Sequence, residues 1–125
     1  MRSFSEPLLC EMHNDGKTLK VVEGFVFEKR VDFTVLESIE VPAGFTSDGF
    51  TNFGLNQLVP RFGKGLKCAI LHDYLCEGAH RGEHSRAYAD AIFLEALLET
   101  RALSRWRAYF LYGCVRIFAW FKGYV

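Results

Sequence analysis

The sequence lacks a net charge: its 15 lysines and arginines balance 15 aspartates and glutamates. No global field therefore draws the chain to a polyanion, and nucleic acid is disfavoured as a partner unless a local patch supplies the attraction. A long apolar run is also missing. The one candidate, Ala108 to Phe121, is interrupted by Arg116 and is shorter than the roughly 20 apolar residues of a spanning helix, so no transmembrane segment is expected. Close cysteine pairs are absent, since Cys10, Cys68, Cys76 and Cys114 are scattered, which argues against a zinc knuckle or a redox CxxC. No basic leader followed by an apolar stretch opens the chain, because Arg2 is soon followed by Glu6. Secretion by a signal peptide is not expected, and the cysteines read as free thiols in a reducing compartment. There is no phosphate-binding glycine loop, nucleophile elbow or HExxH helix, which disfavours common nucleotide hydrolases, serine hydrolases and zincins.

What is present is apolar and aromatic. Half of the 125 residues are hydrophobic and 12 are phenylalanine, enough to offset chain entropy in one domain over residues 1–125. The first third alternates with period two. After a turn signal at Asn14, Asp15 and Gly16 come runs over 18–22, 24–28, 31–36 and 38–41, with Phe25 and Phe27 on one face. Such runs predict half-buried antiparallel strands, with Lys29 and Arg30 as a tight exposed connection. Residues 42–65 are punctured by five glycines and two prolines yet keep Phe45, Phe50, Phe53, Leu55, Leu58 and Val59. That composition predicts a long ordered loop segment.

The last half is helical in pattern. Leu66, Ile70, Leu71, Tyr74 and Leu75 form a stripe over 66–76 with Lys67 outside it, and a loop over 77–84 follows. Ser85 caps a helix over 86–100 that buries Ala89, Ile92, Phe93, Ala96 and Leu97, and Ser104 caps a last helix to about Phe121. The fold class expected is α+β: a small N-terminal antiparallel sheet, a glycine-rich ordered segment and three C-terminal helices.

Four polar residues attract attention. His72 and Asp73 are adjacent on a helix, so they point about 100° apart, His72 toward the far side from the stripe and Asp73 toward its margin. Asp90 lies one turn from Arg86 and Phe93, and Asp48 lies in the glycine-rich segment. If these groups converge, one imidazole with carboxylates suits a divalent metal such as zinc, or a general base oriented by an acid. The plainer reading is an Arg86–Asp90 ion pair and a His–Asp step that hydrogen-bonds loop amides. Cys68 and Cys76 share the His72 face, but eight helical residues put them about 12 Å apart, too far for one zinc. His80 and His84 read as an exposed polar loop. The last helix and the turn before it carry Arg101, Arg105, Arg107, Arg116 and Lys122 and no acid. Arg101, Arg105 and Arg116 share one side with Tyr112. Leu103, Trp106, Phe110, Cys114, Ile117 and Phe121 share the other, the side expected to dock on the core.

Three segments recur in a known order: VPAGFTSDG over 41–49, HDYL over 72–75 and SRAYADAIF over 85–93. In this they resemble the phage- and prophage-associated domain-of-unknown-function family 1353, with Ser47 and Cys76 departing from its pattern. The resemblance implies a phage or prophage origin. The leading expectation is a phage structural or assembly-associated protein acting through contacts with other phage proteins, in the host cytoplasm or the virion. The alternative is a metal-dependent hydrolase, with the bacterial envelope as a candidate substrate, His72, Asp90 and Asp48 as ligands and Asp73 or Asp48 as base. A third reading is a membrane- or nucleic-acid-surface binder through Arg101, Arg105 and Arg116, with the aromatic tail at Tyr124 free to bury against a partner.

Overall fold

A computed structural model describes residues 9–12, 19–31, 34–47, 64–101 and 103–123. Five strands, β1 (Leu9–Met12), β2 (Leu19–Glu23), β3 (Phe25–Val31), β4 (Thr34–Val41) and β5 (Thr46–Ser47), precede three helices, α1 (Lys64–His80), α2 (Arg86–Thr100) and α3 (Arg105–Lys122). This is the α+β architecture expected, and both sheets are antiparallel, one ordered β1-β2-β5 and the other pairing β3 with β4.

The strands differ from expectation in their joints. Lys29 and Arg30 are not a connection but ladder residues of β3, and the runs over 31–36 and 38–41 belong largely to one strand, β4. Lys29 pairs with Glu37 and Arg30 with Val35, so Leu36 is an extra residue, a bulge that breaks the period seen in the sequence. β1 has no counterpart in the sequence reading. The Asn14–Gly16 turn lies outside the described residues.

Alternation does place the core. Leu19, Val21, Phe25, Phe27, Ile39 and Val41 are buried, while Lys20 and Val22 between them face out. Gly24 lets β2 pass into β3 beside the end of β4, since a Cβ there would stand 2.9 Å from the Val41 carbonyl oxygen. The start of the glycine-rich segment is a regular turn. Phe45 N–H donates to Pro42 O, and Gly44 takes φ 91°, a conformation that L side chains avoid. Gly44 and Phe45 then exchange hydrogen bonds with Val21.

α1 and α2 run antiparallel, because Cys68 meets Thr100 while His72 meets Asp90 and Phe93. α1 is longer than the apolar stripe predicts, reaching His80 through Gly78. Lys67 is half-buried rather than solvent-facing, its ammonium lying 5.5 Å from the centre of the Phe25 ring. The five α2 residues expected in the core are all there. Ser85 is its N-cap, accepting from Tyr88 N–H at 3.0 Å, whereas Ser104 sits at the N-cap of α3 without a side-chain cap bond. Lys29 pairs with Glu95 at 3.5 Å, and Tyr88 donates to Glu37, so α2 is tied to the β3–β4 sheet.

The last helix corrects the expected facing. Its buried residues are Ala108, Leu111, Val115 and Ala119, while Trp106, Phe110, Ile117 and Phe121 are exposed. The bulkier apolar side faces outward because the side carrying two alanines allows closer approach to α2.

Candidate functional site

The polar centre of the molecule is Asp90, fully buried on the first turns of α2. Oδ1 accepts from His72 Nε2 at 2.6 Å and from Arg86 Nε at 2.9 Å, and Oδ2 accepts from Arg116 Nη1 at 2.8 Å. α1, α2 and α3 thus each contribute a donor to one carboxylate. Arg86 reaches it because residues four apart stack on one helical face. His72 does so because α1 turns that face toward α2, where its ring also stacks on Phe93 at 4.4 Å between centroids.

Burial and hydrogen bonding oppose each other here. Burial alone would raise the Asp90 carboxyl, but the hydrogen bonds from His72 and Arg86 and the positive charge of Arg86 outweigh it and hold the group below the usual carboxylate range. Burial pushes the His72 imidazole down, and the Asp90 carboxylate only partly restores it, so the ring is neutral at pH 7. Cys76 Sγ lies 3.4 Å from the same His72 nitrogen, and burial pushes its thiol up to about 12. It is therefore a protonated thiol, not a ready nucleophile.

His72, Cys76 and Asp90 each offer a donor atom within 4.8 Å of the others. Donors on one zinc, at about 2.0–2.3 Å from it, stand roughly 3.3 Å or more apart. His72 and Asp90 at 2.6 Å are at hydrogen-bond distance instead, and two guanidiniums already face the carboxylate that would take the cation. As arranged, the residues fit an ion-pair network better than a metal.

Of the candidates from sequence, His72 and Asp90 are brought together. His72 is buried between helices, not on the far side of α1, since Asp90 and Phe93 give its polar and apolar parts a partner each. Asp73 is half-buried one step round α1, and the hydrogen bonds to the Asp90 carboxylate come from His72, Arg86 and Arg116. Asp48 and Tyr124 lie outside the described residues. Arg101 and Arg105 are exposed, but Arg116 turns inward to Asp90 and leaves the face it was expected to share with them. The four-residue spacing of Arg86 and Asp90 signalled their pair, whereas the reach of Arg116 across to α2 has no signal in the sequence. His84 is not simply a loop residue: Nε2 lies 2.6 Å from the Leu75 carbonyl oxygen, and the ring packs on Tyr88. His80 is exposed at the end of α1.

The three segments noted in the sequence meet. Phe45, from the first, packs edge-on against Tyr74 of the second at 5.3 Å, and His72 of the second holds Asp90 and Phe93 of the third. An α+β domain with a carboxylate bolted between three helices is the class that fold and site define. The chain belongs to the family described as protein of unknown function (DUF1353), whose model matches residues 19–115. That stretch runs from β2 into α3, where it ends at Val115, and includes His72, Arg86 and Asp90. No curated protein and no solved structure matches the chain.

Proposed function

We propose that this is a phage structural or assembly-associated protein that works through contacts with other phage proteins, in the host cytoplasm or the assembled virion, and not by catalysis. The phage setting is what the family resemblance implies. The non-catalytic part rests on one observation: Asp90, a carboxylate expected as a metal ligand, is fully buried and engaged on both oxygens by groups from three helices. A cation would have to displace the guanidiniums of Arg86 and Arg116 from that carboxylate, which has none of its surface open. Its chemistry holds the helices in place, and activity falls to the surface. Mass spectrometry of purified particles is expected to find the protein at a fixed copy number. Its absence from particles together with its recovery from infected-cell lysate free of any other phage protein would overturn the proposal.

One observation favours a second reading, a metal-dependent hydrolase directed at the bacterial envelope: the proximity of the His72, Cys76 and Asp90 donors. Elemental analysis decides between them. Stoichiometric zinc that is lost in a folded His72→Ala variant, together with hydrolysis of envelope material, would favour the hydrolase reading, and protein that takes up no zinc would exclude it.

A further inference from the structure

α3 shows an arrangement that neither the core nor the Asp90 cluster explains. Its inner side is built on Ala108, Leu111, Val115 and Ala119, while Trp106, Tyr109, Phe110, Ile117, Trp120 and Phe121 are between 49% and 78% exposed. At about 100° per residue these six fall within an arc of roughly 120°, and from Trp106 to Phe121 they extend about 22 Å along the axis. A contiguous exposed apolar face of this size marks an interaction surface.

The charge on α3 and the turn before it has one sign. No acidic residue follows Glu99, and Arg101, Arg105, Arg107 and Lys122 are exposed, with no ion pair among the described residues. Arg105 and Arg107 border the aromatic arc on opposite sides. Next to it, where α2 turns into α3, a cleft of about 940 Å³ opens between Leu98, Leu103 and Trp106, with Arg101, Arg105 and Arg107 around it. The Arg107 guanidinium lies 5.5 Å from the Trp106 ring centre.

We infer that α3 docks the protein on an anionic lipid surface, lying in the plane of the membrane with its aromatic face among the headgroups and its arginines on lipid phosphates. Charge complementarity selects this occupant. A second copy of the same face would set cations against cations, whereas an anionic bilayer offers apolar depth and negative charge together. Trp and Tyr rings suit that boundary, where one side is apolar and the other wet. The helix lies on the surface and does not cross it, since no described helix is long and apolar enough to span. This surface goes beyond the protein-contact reading and is independent of it.

The test is co-flotation of the purified full chain with vesicles of phosphatidylcholine alone and of phosphatidylcholine mixed with phosphatidylglycerol. Flotation with the mixed vesicles only, falling steeply as salt rises, is the expected result. Trp106→Ser combined with Trp120→Ser should lower partitioning about tenfold or more. Arg105→Gln with Arg107→Gln should lower it about fivefold per cation removed, while the two lysine replacements retain it. All these side chains are exposed, so an unchanged melting temperature accompanies each loss. No flotation at low salt, equal flotation with neutral vesicles, or a wild-type dimer that the double tryptophan variant dissolves would each overturn the inference. Any of those results leaves the copy-number test of the protein-contact reading untouched.

Discussion

Replacing Asp90 by asparagine removes one charge and almost no volume, which makes it the sharpest probe of the three-helix bolt. The carboxylate receives three donors, and asparagine offers a single acceptor oxygen and an amide whose protons oppose a guanidinium. The two arginines are not equally affected. The Arg116 side chain is 32% exposed, so it can turn to water, and its loss is that of a surface pair, about 1 kcal/mol or less. The Arg86 side chain is 4% exposed and has no such route, and breaking a buried pair by removing one partner costs about 3–5 kcal/mol. The expected loss is therefore about 3–6 kcal/mol, read as a lower urea midpoint with an unchanged slope. In a domain of this size that is a fall in Tm of roughly 10 °C or more. Asp90→Leu with Arg86→Met, which removes both charges, should recover much of the loss, because apolar replacements of a buried pair are often tolerated. An Asp90→Asn variant within about 1 kcal/mol of wild type would refute the bolt.

Two further predictions follow from local physics. His72 has a folded pKa held below its ordinary 6.5 by burial, so the unfolded chain takes up its proton first as pH falls. Stability is then full above about pH 6.5 and declines below it by up to about 1.4 kcal/mol per pH unit until the folded ring protonates. Asp90, depressed below its ordinary 3.8, adds a second loss at more acid pH; urea midpoints that stay flat from neutral pH to about pH 5 would contradict the first slope, and His72→Gln should abolish it. Gly113, with nothing within 4 Å of an added Cβ, should accept alanine with a gain of about 0.5–1 kcal/mol. Gly24→Ala should destabilise, because its Cβ would meet backbone atoms of Val41 and Ala43 at 2.9 and 3.3 Å. Thermal melts showing the opposite order would disprove this pair of assignments.

The legible parts of the fold are those where one periodic signal has one meaning. Phe25 and Phe27 alternate with half-buried neighbours, and Ala89, Ile92, Phe93, Ala96 and Leu97 recur at helical spacing, so their burial follows from the pattern. Lys29 and Arg30 misled because polar residues in a half-exposed strand resemble a turn, and the bulge at Leu36 shifts the period beyond them. α3 misled for a different reason. Both its faces carry apolar residues, so hydrophobicity favours the side with Trp106 and Phe121, while close packing favours the side with Ala108 and Ala119.

By itself the sequence determined the α+β class, the extent of α2, the burial of Phe25 and Phe27 and the pairing of Arg86 with Asp90, because each depends on neighbours a few residues apart. Tertiary structure alone decided that His72 and Arg116, 18 and 26 residues from Asp90 along the chain, end on its carboxylate, and that α3 turns its rings outward. Those outcomes depend on which helix faces meet, and that is set by the fit of side-chain volumes between elements, a quantity no local pattern carries.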